Sequence, residues 1–374
     1  MTIPLKVVHV LIDTAHGPLS FDDMASGGRI VTGSEQAMLY LAKAQVASGH
    51  SVSMYFPTDR PGLVGGVNCF DVRAEWPRLR RLGSADVVIS WVSSDPLRQA
   101  PASALRIYSL QINDWLLNAS RYWEFVDVFV AVSESHLGWL RKEPGAPPTE
   151  MPWEVIPNGV DLSRFSTQSR RVPRRCVYLS SPDRGLHWLL WMWPEIRYAF
   201  PDAELHVFYA VQSWLDGLSL VNSEVGLRAK YVLRKRDELA SHGVIFRGGI
   251  APVDLARELA MADVLLYPYD PVRPTEGFGS AVLEACAAGV VPVITDADAL
   301  GEVYETSGAV MVHHTGGGKW VDSFLDTALS VLKSDRDELR EGLQTFAKQF
   351  EWALVAEQWA ECIQRGVARK HVIT

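Results

Sequence analysis

The residue types with the clearest chemical use fall in one stretch of the second half of the chain. Glu276 and Glu284 stand eight positions apart there, and Gly277 and Gly279 lie between them. Carboxylates accept hydrogen bonds from sugar hydroxyls, and glycines let backbone amides come close to a ligand. If a helix begins at Ser280, its first amides can hold a phosphate. The stretch therefore predicts a site for a ligand with phosphates and sugar hydroxyls; a plain glycine turn with dipole-compensating glutamates is the structural alternative.

The hydrophobic pattern places this stretch after a strand of a parallel sheet. Short buried runs alternate with helical periodicity, which is typical of βαβ units. In the first half we predict strands at 7–12, 51–56, 87–91, 105–110 and 128–132, and a helix at 34–48 that begins with a capping box of Thr32 and Glu35. In the second half we predict strands at 176–180, 204–209, 244–246, 264–267 and 291–295, and a helix at 186–199. Ligands of such sheets bind outside the carboxyl ends of the strands.

The alternation of strands and helices begins again in the second half of the chain, which predicts two doubly wound, Rossmann-like α/β domains. The segment 166–175 is polar, has no apolar period and is interpreted as a linker. We therefore expect an N-terminal domain at 1–165, a C-terminal domain at 166–348 and an amphipathic helix at 349–374. The connection at 13–31 is long for a strand-to-helix loop, and such loops are often functional. It carries Asp22, Asp23 and Gly28.

Composition argues against several classes of protein. The formal net charge of −8 argues against general binding to nucleic-acid backbone. Four widely spaced cysteines predict neither a disulfide framework nor a zinc site. The chain has no long apolar run for a spanning helix and no signal-peptide pattern at its start, so we expect a cytoplasmic protein. Basic clusters at 78–81, 170–175 and 228–236 are interpreted as solvated faces and a linker, with peripheral membrane contact as the alternative.

Five segments, taken together, resemble the retaining glycosyltransferases of family four (group 1), which have the GT-B fold. The pattern Glu276-x₇-Glu284 resembles the signature of that family. The other four segments are Gly27-Gly28, similar to the glycine-rich loop over the donor; Ile156 to Asp161, near the domain crossing; Ser180 to Gly185, which meets the diphosphate; and Val244 to Gly248, near the base. The resemblance spans roughly residues 5 to 365. It implies two Rossmann-like domains that face each other across a cleft, with the last helix crossing back to the first domain.

The resemblance also implies roles for individual residues. Arg184 would neutralise the diphosphate, Glu276 would bond the transferred sugar, and Glu284 would hold the ribose. The remaining implied donor contacts are Gly28, Arg247, Gly277, Phe278, Gly279 and Ser280. The implied reaction moves a hexose from a nucleoside diphosphate sugar, uridine favoured over guanosine, to a hydroxyl acceptor with retention. It requires no metal and no other cofactor.

The acceptor side departs from the family pattern. Relatives often carry a histidine after a middle strand of the first domain, where this chain has Leu110-Gln-Ile-Asn-Asp114. The acceptor-side candidates are Asp22, Asp23, Trp91, Gln111, Asn113 and Asp114. The acceptor class stays open among a glycan, a lipid, a small natural product and a modified nucleobase.

Other enzyme classes share this architecture. A nicotinamide dehydrogenase would need G-x-G-x-x-G directly after the first strand, and that motif is absent there. A nucleotide-sugar epimerase and a catalytically silent, sugar-nucleotide-binding relative remain as alternatives to transfer.

Overall fold

The computed structural model describes residues 4–23, 29–75, 82, 84–113, 115, 122–166 and 169–373. The chain divides into two compact units, one formed by residues 1–159 and 350–374 and the other by residues 160–349. The division falls between Gly159 and Val160, ahead of the boundary expected after residue 165.

The first unit is built around an eight-stranded sheet. Its strands are β1 (Lys6–Leu11), β2 (Ser51–Phe56), β3 (Gly62–Val64), β4 (Val67–Asp71), β5 (Val87–Trp91), β6 (Leu105–Ser109), β7 (Val128–Ala131) and β8 (Trp153–Val155). They lie in the order β3-β4-β2-β1-β5-β6-β7-β8, and all pairs except β3–β4 are parallel. Helices α1 (Gly33–Ala47), α2 (Val72–Glu75) and α3 (Glu134–Leu140) accompany the sheet. The predicted strands of this half are confirmed, whereas the β3–β4 hairpin was not predicted.

The central strands form because they are short runs of β-branched and large apolar residues with both faces covered. Every residue of β5 is buried. Met38, Val52 and Ile89 belong to the core on one side of the sheet. Tyr108 and Phe129 belong to the core on the other side.

The long connection after β1 is fastened to the start of α1. The carboxylate of Glu35 accepts the N–H of Thr32 at 2.7 Å, and the predicted capping box is confirmed. The second oxygen of Glu35 accepts the N–H of Ala15 at 2.8 Å. One buried glutamate therefore both begins the helix and ties down the loop before it.

The second unit contains a six-stranded sheet in which every pair is parallel. Its strands are β9 (Arg175–Tyr178), β10 (Glu204–Val207), β11 (Val244–Phe246), β12 (Val264–Tyr267), β13 (Val291–Thr295) and β14 (Val310–Val312), in the order β11-β10-β9-β12-β13-β14. Its helices are α4 (Leu186–Ala199), α5 (Val211–Ser219), α6 (Glu224–Leu239), α7 (Pro252–Met261), α8 (Ser280–Ala287), α9 (Ala299–Tyr304), α10 (Trp320–Lys333) and α11 (Asp337–Ala347). The chain leaves β9 toward β10 on one side and later returns to β12 on the other. The carboxyl ends of β9 and β12 therefore form a topological switch point, where such sheets bind ligands.

The basic segment before β9 is not the solvated linker that its composition predicted. The guanidinium of Arg171 donates to the carbonyls of Ala262 (2.6 Å) and Ala288. The buried carboxylate of Asp263 accepts from Arg336 (2.8 Å) and Arg340 and from the backbone of Arg174 (2.7 Å). The prediction was wrong for Arg171 and Arg174, because the side chain of Arg171 and the backbone N–H of Arg174 bind oxygens of the second unit.

The chain ends in α12 (Trp352–Ile373), which belongs to the first unit. Trp352 and Trp359 are buried in the core of that unit. A Cβ on Gly159 would lie 2.6 Å from the ring of Trp352, so this position needs glycine. None of the described helices is both long and apolar enough to cross a membrane.

Candidate functional site

Arg184 and Glu276 meet at the switch point of the second sheet. Arg184 follows β9 and Glu276 follows β12, which is the neighbour of β9. Arg184 Nη1 lies 3.0 Å from Glu276 Oε2. Parallel strands bring their carboxyl ends to one edge, and two residues from distant parts of the sequence therefore form one ion pair.

Glu276 is a buried carboxylate held by three donors. Its Oε2 accepts the hydroxyl of Tyr267 at 2.6 Å as well as Arg184, and its Oε1 accepts the N–H of Gly279 at 3.0 Å. The Tyr267 hydroxyl also lies 3.0 Å from Ser180 Oγ. These bonds set the position and orientation of the carboxylate before any ligand arrives.

The charges of this group stabilise one another. Burial disfavours the cationic form of Arg184, but the acidic groups around it, of which Glu276 contributes most, together outweigh burial and raise the pKa of Arg184 well above its usual value. Burial and then the Glu276 charge raise the pKa of Tyr267 well above its usual value, so its hydroxyl stays protonated and can donate. Arg184 Nε is buried and has no hydrogen-bond partner in the described part of the chain. This N–H is a donor suited to an anionic ligand.

Two glycines shape the backbone on either side of the pair. Gly185 has φ +108°, and a Cβ there would lie 1.9 Å from the carbonyl oxygen of Pro268. Gly279 has φ +87° and precedes the first residue of α8, and a Cβ there would lie 2.7 Å from Leu300. Gly185 therefore lets the turn after β9 approach the loop after β12, and Gly279 lets the start of α8 approach Leu300 of α9.

Glu284 lies on α8 and forms an ion pair with Arg164. Arg164 Nη2 lies 2.5 Å from Glu284 Oε1, and the two side chains are only 7% and 13% exposed. The arrangement places a second carboxylate on the helix whose start adjoins Glu276.

A strained residue after β13 holds the loop that carries Glu276. Asp298 has φ +51°, which is unusual for a residue with a side chain. Its carboxylate accepts the hydroxyl of Tyr269 and the N–H groups of Thr275 (3.0 Å) and Glu276 (3.4 Å). The backbone at Glu276 is therefore fixed from the neighbouring strand.

The carboxylate of Asp270 gathers three further side chains around the same loop. Trp188 Nε1 donates to it at 2.7 Å, Arg228 Nη2 lies 3.1 Å away and His314 Nε2 lies 3.0 Å away. His314 also packs on Trp320, with ring centroids 4.9 Å apart. Within the described ranges, no group of three or more His, Cys, Asp or Glu residues is placed to hold a metal ion.

Some of the other predicted donor residues adjoin the Arg184–Glu276 pair, whereas Arg247 lies further along the sheet. Gly277 and the ring of Phe278 are buried, and Ser280 is the first residue of α8. The N–H of Gly279 donates to Glu276 Oε1 and is therefore not offered to a phosphate. Arg247 follows the edge strand β11 and donates to His206 Nδ1 at 3.3 Å, two strands away from β9.

The acceptor-side predictions need one clear correction. Trp91 is 2% exposed and donates from Nε1 to His9 Nδ1 at 3.1 Å, so its ring is core and offers no face to an acceptor. Asp23 is buried and accepts the N–H of Ser20 at 2.6 Å, whereas Asp22 is exposed.

The residues after β6, where the sequence departs from the family pattern, form hydrogen bonds with two other parts of the first unit. Gln111 Oε1 accepts from Asn158 Nδ2 at 2.9 Å, and the carbonyl of Asn113 accepts from Trp139 Nε1 at 2.8 Å. Asp114 and Gly28 lie outside the described residues.

Sequence reasoning missed the residues that support the pair. Tyr267, Asp270 and Asp298 were not proposed as site residues, although each lies at or just after the carboxyl end of a strand. The signal that could have found them is this placement, because the carboxyl ends of all six parallel strands share one edge.

The sequence of the second unit matches the family model of the glycosyl transferases group 1 over residues 174–333. A phosphatidyl-myo-inositol mannosyltransferase of Mycobacterium tuberculosis (strain H37Rv) is 26% identical over 242 residues, which cover 61% of this chain and 57% of that protein. The counterpart from Mycolicibacterium smegmatis is also 26% identical, with 61% of this chain and 55% of that protein covered. The match thus spans little more than half the length of these curated relatives.

Solved glycosyltransferases share the fold along nearly the whole chain. AviGT4, involved in avilamycin A biosynthesis, has a TM-score of 0.67 at 18% identity, with 98% of both chains covered. Anabaena HepE, solved with UDP and glucose, has a TM-score of 0.65 at 15% identity, with 96% of this chain and all of that chain (100%) covered. The chain therefore has the two parallel-sheet α/β domains of the GT-B fold. The family resemblance seen in the sequence is confirmed by the match of residues 174–333 to the model of the group 1 glycosyl transferases.

Proposed function

We propose that this chain is a retaining glycosyltransferase that moves a hexose from a nucleoside diphosphate sugar to a hydroxyl of an acceptor. The observation that carries the proposal is the Arg184–Glu276 pair at the switch point, next to the start of α8. Such a donor presents two phosphates and two sugar rings. A cation, two carboxylates and a helix N-terminus are the groups that bind these parts. The group 1 match over residues 174–333 supports the proposal.

Each residue has a distinct task in this proposal. Arg184 stabilises the negative charge that develops on the departing diphosphate, and the N-terminus of α8 adds its partial positive charge. Glu276 accepts hydrogen bonds from the hydroxyls of the transferred hexose, and Glu284 accepts them from the ribose. The bond from the anomeric carbon to the phosphate oxygen breaks, and a bond to the acceptor oxygen forms on the same face. The diphosphate takes the proton of the acceptor, so no protein nucleophile is required.

For the donor and the acceptor we propose a chemical class. We favour a uridine donor over a guanosine donor, supported by the HepE structure, which holds UDP and glucose. The mycobacterial relatives are mannosyltransferases by name, which supports a hexose. Their phosphatidyl-myo-inositol substrate keeps a lipid acceptor, and with it peripheral membrane contact, among the candidates.

We propose that Arg184 and the α8 amides replace a metal ion at the diphosphate, so excess EDTA should leave turnover unchanged.

A donor panel tests the proposal. The protein is incubated with UDP- and GDP-hexoses, with and without candidate acceptors, and the released nucleoside diphosphate is measured. Release that increases with acceptor, together with a product of unchanged anomeric configuration by NMR, is the expected result. Isomerised donor would identify an epimerase instead. Donor binding without any turnover would identify a catalytically silent relative.

A further inference from the structure

The ion pair between Arg164 and Glu284 joins residues far apart in the sequence. Arg164 Nη2 lies 2.5 Å from Glu284 Oε1, a short charge-assisted contact, and both side chains are largely buried. Partly buried pairs of this kind are costly to desolvate and are not by themselves evidence of stabilisation. Their orientation, however, is fixed more firmly than that of surface pairs.

Arg164 lies in a short helix that has stabilising contacts of its own. It lies in the short 3-10 helix Leu162–Phe165, whose first turn is capped by Asp161: Asp161 Oδ1 accepts the N–H of Ser163 at 3.0 Å and its hydroxyl at 2.5 Å. The guanidinium carbon of Arg164 lies 5.2 Å from the centre of the Phe165 ring. The 3-10 helix packs against α7. The position of the guanidinium is therefore set by its own element and not by Glu284 alone.

We propose that Arg164 is a positioning residue for the donor site: it holds the Glu284 carboxylate in the orientation that accepts hydrogen bonds from the ribose hydroxyls of the nucleotide. The contact occupies one side of a carboxylate that has about four acceptor positions, which leaves capacity for a cis-diol. This inference rests on the proposed function, because it assigns Glu284 to the ribose.

A different role for the same pair predicts the opposite result. If Arg164 merely occupied Glu284 until a nucleotide displaced it, removal of Arg164 would free the carboxylate and tighten nucleotide binding. If the pair only stabilised the fold, removal would affect all ligands of the site equally. The sign of the change and its dependence on the ribose hydroxyls therefore separate the three roles.

The test measures binding by calorimetry for UDP, GDP and their 2′,3′-dideoxy analogues. The proteins are the wild type and the variants Arg164→Ala, Arg164→Lys, Glu284→Gln and Arg164→Ala combined with Glu284→Gln. Arg257→Ala is the matched control, because Arg257 forms an exposed pair with Asp254 at 2.7 Å in the same unit. Thermal unfolding is recorded for every variant, and Arg164→Lys, which keeps the charge, serves if Arg164→Ala fails to fold.

The expected result is a loss of roughly 10-fold or more for the ribonucleotide in Arg164→Ala, with little change for the dideoxy analogue. The double variant should bind no more weakly than Glu284→Gln, because both changes remove one interaction. Unchanged or tighter binding in Arg164→Ala would overturn the inference, as would equal losses for both analogues. A wild type that binds neither nucleotide would overturn the proposed function as well, so the two failures are distinguishable.

Discussion

Arg184 is half-buried, where a guanidinium is costly unless an anion accompanies it. Glu276 provides that anion at 3.0 Å, and Tyr267 and Gly279 hold Glu276 in turn. The cation is thus kept charged and fixed in place without a ligand. A preorganised charge of this kind stabilises a developing diphosphate anion without rearrangement during the reaction.

Arg184→Ala should reduce turnover of the donor by about 100- to 1000-fold, because it removes a preorganised charge from the leaving group. Steady-state release of nucleoside diphosphate measures this effect. Arg257→Ala, on the exposed face of α7, is the control and should keep wild-type turnover. Normal turnover in a folded Arg184→Ala protein would show that another group neutralises the diphosphate.

At the level of elements, the turn between β9 and α4 limits what the site tolerates. Gly185 combines φ +108° with a backbone oxygen that lies 1.9 Å from where a Cβ would be. The loop after β12 contributes that oxygen, from Pro268. The turn that carries Arg184 therefore depends on the close approach of two loops at the switch point.

Gly185→Ala should lower the free energy of unfolding by about 3 kcal/mol or more, because backbone strain and a steric clash act together. Urea titration followed by fluorescence measures it. Gly308→Ala is the matched control, since Gly308 has φ +86° but nothing within 4 Å of a Cβ. It should cost only about 1 kcal/mol. Equal costs for the two variants would contradict the packing argument.

The sequence allowed the strands to be predicted because they depend on local patterns, whereas the donor role of Glu276 and Glu284 stays a prediction. Glu276 lies in one loop and Glu284 in the helix that follows it, so their spacing is visible in the sequence. The buried strands are visible as short apolar runs. Trp91 was misjudged because its exposure depends on α12, which supplies Trp359 from the far end of the chain at a ring distance of 6.1 Å. Asp298 was missed because its contact with the Glu276 loop exists only after β12 and β13 pair.

At the level of the whole molecule, the last helix is a structural part of the first unit. Trp359 of α12 is 3% exposed and packs near Trp91 in the core. Trp352 stacks on Tyr40, with ring centroids 5.7 Å apart. The core of the first unit therefore includes side chains of α12, which follows the whole second unit in the sequence.

Trp359→Ala should destabilise the first unit by about 3–5 kcal/mol, because it removes a buried aromatic ring and leaves a cavity. Leu354→Ala on the same helix is the control, since Leu354 is 45% exposed. Differential scanning calorimetry measures both. A loss in Trp359→Ala no larger than that in Leu354→Ala would show that α12 is dispensable for the core.

Acid should also destabilise the first unit through His9. Burial lowers the pKa of His9 from 6.5 to about 4, although the hydrogen bond to Gln45 opposes this. Trp91 donates to Nδ1, so the neutral ring carries its proton on Nε2 and donates to Gln45 at 2.7 Å.

His9 binds a proton more readily in the unfolded state than in the folded state. The contribution of neutral His9 to the free energy of unfolding is therefore complete above pH 6.5, and it declines by on the order of 3 kcal/mol as the pH falls toward 4. Unfolding titrations from pH 7 to pH 4.5 should show this decline. Ring signals of His9 that titrate near pH 6.5 in the folded protein would contradict the assignment.

The central claim is that the second unit binds a nucleoside diphosphate sugar through Glu276, Arg184 and Glu284. Calorimetry with UDP- and GDP-hexoses on the wild type and on Glu284→Ala tests it most directly, with the exposed Glu195→Ala as control. We predict that the wild type binds at least one donor and that Glu284→Ala binds it about 10- to 100-fold more weakly, because hydrogen bonds from the ribose to a charged group are lost. A wild type that binds neither donor, or a folded Glu284→Ala protein with unchanged affinity, would contradict the account.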